Sequence, residues 1–84
     1  MKLLNIGFGN FVNADKILAV LSPESSPVKR LIKEGKEGGK VIDATQGRQT
    51  KSVIVTNADK LFLAYLTPEQ IEERISGLPA EGNL

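Results

Sequence analysis

The chain has 84 residues, with 11 Lys or Arg against 10 Asp or Glu and a formal net charge of +1. This length allows one small domain with a marginal core, so burial between subunits is an expected further source of stability. The sequence contains no cysteine and no histidine. That composition excludes disulfides and thiolate metal sites, and it removes the commonest metal ligand and general base.

The charge is unevenly distributed along the chain. Residues 1–66 carry ten Lys or Arg against six Asp or Glu, a net charge of +4, whereas residues 67–84 carry one Arg against four Glu, a net charge of −3. Because the field near a surface follows the local charges, a basic body can bind polyanions although the total is nearly neutral. We expect a single domain over residues 1–77 and a mobile tail over residues 78–84.

Three short strands are predicted in the first part of the chain. Residues 3–6 and 11–12 have the apolar content of strands, and the Gly-Phe-Gly-Asn sequence of residues 7–10 bends the chain between them. Residues 13–16 have the composition of a turn. The continuous apolar run of residues 17–21 favours a buried strand, although it is also compatible with part of a helix.

A helix is predicted over residues 27–35. Ser26 can cap it, and Pro27 suits the first helical position, where its missing donor costs nothing. Gly35, and then the glycine pair at 38–39, should end it. One face is apolar at i, i+3 and i+4, in Val28, Leu31 and Ile32.

The second half predicts a hairpin, a further strand and a helix. Residues 40–45 and 51–56 are β-rich and joined by a glycine-containing segment, and residues 61–66 could complete an antiparallel sheet. Thr67 and Gln70 have the spacing of a capping box for the last helix. The predicted fold is α+β, a single domain in which a small antiparallel sheet of about four to five strands carries a central and a C-terminal helix.

The segment between the two β-rich runs is unusually polar for a simple reversal. A turn can be made from Asn-Gly or Asp-Gly, whereas long cationic side chains there cost ordering entropy and repel one another. These side chains indicate an anionic partner, although solvated Arg and Lys are also common at loop tips. The polar residues after the glycine are Arg48, Gln49, Thr50 and Lys51.

Other chemistry has little support in the sequence. No short motif pairs a carboxylate with a nucleophile or arranges hard metal ligands, so we expect neither an enzyme nor a metal site. Residues 7–9 resemble the start of a phosphate-binding glycine loop but lack its third glycine, which favours a bend or bulge. The aromatic residues could stack on bases, yet most adjoin apolar strand residues, which favours core or subunit packing. They are Phe8, Phe11, Phe62 and Tyr65.

The amino-terminal residues do not predict export or membrane insertion. Met1 to Leu4 open like a signal peptide, but Asn5 and Gly7 interrupt it before an apolar region forms, and no run approaches the length of a membrane span. We therefore expect a cytoplasmic protein without membrane contact.

Three ordered motifs carry a family resemblance. They are Leu-Asn-Ile-Gly-Phe-Gly-Asn at 4–10, Leu-Ser-Pro-Glu-Ser-Ser-Pro-Val-Lys-Arg at 21–30 and Ile-Asp-Ala-Thr-Gln-Gly-Arg at 42–48. From about residue 3 to 68 the chain resembles the RemA family of bacterial extracellular matrix regulatory proteins. The resemblance implies a cofactor-free transcriptional regulator that binds double-stranded DNA, selectively or architecturally, and activates biofilm-matrix genes as a ring-like homo-oligomer. Such a protein would be nucleoid-associated.

The resemblance also implies which residues contact DNA. The family's basic position after the turn glycine falls on Arg48, and that near the end of the first connection falls on Lys16. A second arginine typically follows the first, but this chain has Gln49 there and Lys51 two positions further on. Glutamine cannot neutralise a phosphate, although it can donate to one or read adenine. We therefore expect this chain to bind DNA more weakly than the family pattern implies, or to have different targets. The expected contact residues are Arg48, Lys16, Lys51, Gln49 and Thr50.

A ring would give each weak site avidity, and its interface could use the strand at residues 17–21 or the one at 61–66. Double-stranded DNA and further copies of the chain are the expected partners, with no small-molecule substrate. Two other classes stay open at this point. A binder of single-stranded nucleic acid would use the same cations together with exposed aromatics, and a non-catalytic oligomeric adaptor would bind no nucleic acid.

Overall fold

Two sheets and two helices make up residues 1–77, the part of the chain that the computed structural model describes. The α+β fold class is confirmed. A two-stranded sheet joins β1 (Leu3–Gly7) to β2 (Asn10–Asn13), and a four-stranded sheet has the order β3-β5-β6-β4. The remaining elements are β3 (Ile17–Leu21), α1 (Ser26–Glu37), β4 (Val41–Asp43), β5 (Ser52–Thr56), β6 (Leu61–Ala64) and α2 (Pro68–Ser76). The predicted mobile tail, residues 78–84, lies outside the described residues.

The predicted hairpin between residues 40–45 and 51–56 is wrong. β6 lies between the two strands, antiparallel to β5 and parallel to β4, with Val41 opposite Leu61. The larger sheet is therefore mixed rather than purely antiparallel. β6 has three buried residues of four and takes a central position, where it is paired on both edges. Segment 44–51 consequently crosses the end of β6 to span roughly 10 Å between β4 and β5.

The apolar run that was compatible with strand or helix is a strand. β3 is antiparallel to β5 and lies at the edge of the larger sheet, with Ile17 opposite Thr56. The predicted turn before it contains a short 3-10 helix, Ala14–Lys16. Because β3 is an edge strand, one row of its backbone groups has no strand partner among residues 1–77.

Both ends of α1 differ from the prediction. Ser25, not Ser26, is the N-cap, and its hydroxyl accepts a hydrogen bond from the Val28 N–H at 3.3 Å. Gly35 does not stop the helix but lies buried inside it. A Cβ there would approach Leu61 Cδ1 to 2.7 Å, so glycine allows α1 to pack close to the sheet. Gly38 caps the helix.

The larger sheet packs on both faces. Val53, Leu61 and Leu63 face α1, where Val28 and Ile32 cover them. The opposite face packs against the smaller sheet and α2. Its buried residues form the larger apolar cluster, which includes Leu4, Ile6, Val12, Ile54, Leu66 and Ile71. A core on each face of one sheet thus holds the four strands and both helices together.

The predicted capping box of α2 is confirmed. The Thr67 hydroxyl accepts from the Gln70 N–H at 3.1 Å, and the Gln70 side chain accepts from the Thr67 N–H at 2.9 Å. Arg74 Nη1 donates to the Asn5 carbonyl at 2.8 Å and attaches α2 to β1. Within residues 1–77, neither helix has the length and apolarity that crossing a membrane would need.

Candidate nucleic-acid interface

The polar segment 44–51 is anchored to the sheet at both ends. At its start, the Ala44 N–H donates to the Leu63 carbonyl at 2.9 Å, and at its end the Lys51 N–H donates to the Ala64 carbonyl at 2.8 Å. Both acceptors lie at the carboxyl end of β6. The two bonds fix the ends of the segment on a central strand, which limits the freedom of the residues between them.

Thr45 and Asp43 add a buried anchor. Thr45 is only 2% exposed, and both its N–H and its hydroxyl donate to Asp43 Oδ1, at 2.9 and 2.6 Å. The hydroxyl bond, then the N–H bond, lower the pKa of Asp43 below its usual value, and Lys36 contributes to the same shift. Because the folded-state pKa is lowered, this anchor stabilises the protein above the unfolded pKa of about 3.9 and is lost as pH falls through the folded value.

The turn itself has left-handed backbone at both central positions. Gln46 and Gly47 have φ values of 53° and 81°, and the Arg48 N–H donates to the Thr45 carbonyl at 3.0 Å. Positive φ at both central residues is the signature of a type I′ turn. Gln46 is a non-glycine residue in this conformation, which costs about 1 to 2 kcal/mol. The turn orients the residue that follows it, Arg48, which is exposed.

An aromatic ring lies beside Arg48, and a second ring packs against the first. Its Cζ is 5.5 Å from the centroid of the Phe8 ring, within the range of a cation–π contact. The Phe8 and Tyr65 centroids are 4.9 Å apart with planes inclined at 43°. Phe8 is 44% exposed, so it is not a core residue. Sequence reasoning missed this contact because 40 residues separate Phe8 from Arg48.

The glycine-rich bend supports the aromatic pair and is not a phosphate loop. It turns the chain from β1 into β2, with the irregularity between Asn5 and Gly7 that the bulge prediction implied. Gly7 has φ of 109°, and a Cβ there would lie 2.3 Å from Tyr65 Cε1. A glycine is therefore needed for Tyr65 to approach the bend.

The expected contact residues do not all lie together in one subunit. Lys16 is exposed beside the far end of β5, where its carbonyl accepts from the Asn57 N–H at 2.9 Å. Lys51 immediately precedes the other end of β5, so the two backbones are roughly 20 Å apart along the strand direction. Arg48, Gln49, Thr50 and Lys51 share one end of the sheet, whereas Lys16 lies at the opposite end.

A further lysine lies near the turn. Lys29, in the first turns of α1, borders a shallow cleft together with Gln49 and Thr50. The motif at residues 21–30 contains this lysine, yet its position beside the turn depends on how α1 packs. Glu24 lines both this cleft and an adjoining one, which Glu69, Gln49 and Lys51 also border. The surface next to Arg48 therefore mixes cations with two carboxylates.

Lys40, another cation of residues 1–66, is paired away from this surface. Lys40 Nζ lies 2.7 Å from Asp59 Oδ2, and this hydrogen-bonded lysine lowers the pKa of Asp59. Among residues 1–77, no group of three or more Asp or Glu side chains is arranged to hold a metal ion.

The family described as RemA-like, extracellular matrix regulatory protein A-like, matches residues 3–75 of this chain. The chain belongs to the RemA-like family. The match extends past the region of the three motifs and includes α2 up to its next-to-last residue, as well as every expected contact residue.

Several RemA-like relatives share about half of their residues with the chain. A protein of Acetivibrio thermocellus is 48% identical over 81 residues, covering 96% of this chain and 87% of the relative. One of Alkaliphilus metalliredigens is 50% identical over 80 residues, covering 95% and 86%, and one of Halothermothrix orenii is 49% identical over 77 residues, covering 92% of each. All three carry the name "Putative regulatory protein".

Proposed function

We propose that this RemA-like protein is a non-enzymatic transcriptional regulator that binds double-stranded DNA and activates extracellular matrix genes in the bacterial cytoplasm. The family and the names of its relatives support a regulatory role. The observation that carries the DNA assignment is the position of Arg48, an exposed guanidinium on a turn whose two ends are bonded to a central strand. Such a preorganised fork suits bidentate contact with phosphate.

The neighbours of Arg48 define the rest of the proposed DNA surface. Lys29 and Lys51 supply further cations, and Gln49 and Thr50 supply hydrogen-bonding groups between them. Gln49 carries no charge, and Lys29 supplies a cation close to it. The phosphate can be neutralised by a cation from either element, so Lys29 partly replaces the missing arginine. Phosphate contacts then dominate the affinity and fix the register, while Gln49 is the residue suited to a base edge.

The separation of Lys16 from this surface supports assembly into a homo-oligomeric ring. In one subunit the two basic ends cannot contact the same phosphate, but head-to-tail copies would bring Lys16 of one subunit towards Arg48 of the next. Repetition at fixed spacing makes each later contact intramolecular and raises affinity without new contacts. DNA would follow the perimeter of the ring and bend along it.

The edge strand β3 is the better of the two interface candidates. β6 is paired on both edges and three of its four residues are buried, so it offers no free edge. β3 has an open edge, and its Leu18 is 68% exposed. Burying this leucine against a different patch of the next copy would make the heterologous contact that a closed ring requires.

The proposal is tested by solution mass together with competition binding. We expect an oligomer whose complex with a labelled duplex is displaced by unlabelled duplex far better than by the same single strands. Preferential displacement by single strands would instead identify a single-stranded nucleic-acid binder, and an oligomer without affinity for either would identify an adaptor.

The interface is tested by Leu18→Asp. A buried, unpaired charge at the proposed contact should shift the solution mass to smaller species and reduce DNA affinity through lost avidity. Leu31→Asp is the matched control, because Leu31 is also an exposed leucine, 36% accessible, but lies on α1. An unchanged mass for Leu18→Asp would exclude β3 as the interface.

A further inference from the structure

The Phe8 ring contacts the Arg48 guanidinium at the surface of the protein. Among residues 1–77, the Arg48 guanidinium has no hydrogen-bond acceptor, and it lies over the Phe8 ring, whose centroid is 5.5 Å from Cζ. An aromatic face attracts the cation but supplies no lone pair to its N–H groups. The ring therefore restricts where the guanidinium lies while its donors stay available to an anion.

The backbone holds Phe8 in an unfavourable conformation at this place. Its φ is 57°, and positive φ is a genuine outlier for a bulky residue. Glycine or asparagine would suit that backbone better. Phe8 nevertheless remains 44% exposed, so burial in the core does not account for the choice of phenylalanine.

A second ring determines where Phe8 points. Tyr65 lies 4.9 Å from it, centroid to centroid, and Tyr65 follows directly after β6. That strand also accepts the bonds that fix both ends of segment 44–51. Phe8 and Arg48 are thus both positioned relative to β6. Phe8 packs on Tyr65 next to this strand, and the segment of Arg48 is hydrogen-bonded to it. Gly7, which has no Cβ to obstruct Tyr65, permits this arrangement.

We infer that Phe8 is a positioning residue that holds the Arg48 guanidinium ready for DNA, with Tyr65 as its support. The inference rests on the proposed function and adds a residue to that site. Ordering a long side chain on binding has an entropic cost, and a side chain that is already restrained avoids part of it. For one restrained side chain this corresponds to about two- to tenfold in affinity, and the effect is repeated in every copy of an oligomer.

The test uses three variants of the full-length protein. Phe8→Asn removes the ring but keeps a residue that accepts positive φ, so the bend should be retained. The relief of backbone strain opposes the loss of the contact with Tyr65, so the melting temperature should change little. Phe8→Tyr keeps the aromatic face and should rescue the function. Arg48→Ala provides the background in which Phe8 has nothing left to position. Duplex affinity, its salt dependence and solution mass are measured for each.

We expect Phe8→Asn to weaken duplex binding at least threefold with unchanged mass and an unchanged salt slope, because no phosphate contact is removed. Phe8→Tyr should bind like the wild type. Phe8→Asn should add nothing in the Arg48→Ala background, since a residue acting through another gives a non-additive double-mutant cycle. Unchanged or tighter binding by Phe8→Asn overturns the inference, as does a loss that persists undiminished in that background.

A measurement without DNA separates this inference from the proposed function. Protons of the Arg48 side chain that lie over the Phe8 ring should resonate upfield in the wild type and in Phe8→Tyr, and should lose that shift in Phe8→Asn. Absence of the shift in the wild type overturns the inference. If the shift is present but Arg48→Ala binds duplex as tightly as the wild type, Phe8 holds Arg48 and the DNA assignment is what fails.

Discussion

The two basic ends of the larger sheet differ in how firmly they hold their cations. At one end, Arg48 follows a type I′ turn bonded at both sides to β6 and lies over an aromatic ring. At the other, Lys16 ends a single 3-10 turn and borders an open apolar groove lined by Phe11 and Phe62. The first end is preorganised and the second is not. Arg48 and Lys16 each carry one positive charge, but they should therefore contribute unequally to binding.

Arg48→Ala should remove the main DNA contact of the preorganised end. The substitution removes the fork from every copy, so we expect duplex affinity to fall about a hundredfold or more at constant salt in an assembled protein. The solution mass should stay unchanged, because Arg48 lies on the turn and not on the edge of β3. Equal affinity of the variant and the wild type would contradict the assignment of this end as the principal contact.

Lys16→Ala tests the other end and should have a smaller effect. A lysine is a flexible point charge that pays more entropy for each contact than a restrained arginine. We expect about a tenfold loss, measured with the same duplex. Lys60→Ala is a suitable control because Lys60 borders the same groove without being an expected contact. A loss as large as that of Arg48→Ala would show that the two ends are equivalent.

Thr45→Val tests what holds the first end in place. Valine preserves the buried shape but removes the hydroxyl donor, so the pKa of Asp43 should rise towards its usual value. We expect the free energy of unfolding to fall by about 1 kcal/mol near neutral pH. The difference between the variant and the wild type should become smaller as the pH falls below about 3.9 and Asp43 is protonated. Denaturation curves and a titration of Asp43 by NMR measure the two effects. A pKa of Asp43 that does not move would mean that the hydroxyl bond is not the main cause of its shift.

Gln49→Arg should sharpen the difference between the ends by adding a cation to the anchored one. The carboxylates of Glu24 and Glu69 border the neighbouring cleft, so a second arginine would also relieve local negative charge. We expect a gain in duplex affinity of a few fold. A weaker complex would indicate that Gln49 itself makes a specific contact that arginine cannot reproduce.

Local signals were sufficient for much of this fold. The capping box at Thr67, the bend at Gly7 and the strand at residues 17–21 each depend on neighbouring residues, and the structure contains all three. The order of strands in the larger sheet depends on pairing between residues that are distant in the sequence, and this pairing places β6 between β4 and β5 where a hairpin was expected. The prediction that Gly35 ends the helix is wrong for a related reason. Only the close approach of α1 to β6 shows that glycine is required inside the helix.

The candidate site was predictable in part. Arg48 and its neighbours stand out in the sequence because cations after a turn glycine are costly unless they bind something. Lys29 and Phe8 could not be found that way, because α1 brings the lysine to Gln49 and the first bend brings the ring to Arg48. The separation of Lys16 from Arg48 likewise depends on the length of β5, and no local motif predicts it.

The most direct test of the account is the salt dependence of duplex affinity for the wild type, Arg48→Ala and Lys16→Ala. If repeated phosphate contacts dominate, the wild type should show a steep linear decrease of log affinity with log salt. Each substitution should flatten the slope by about 0.9 for every phosphate contact it removes. A shallow wild-type slope, or the same slope in Arg48→Ala, would contradict the claim that the anchored turn binds the DNA backbone.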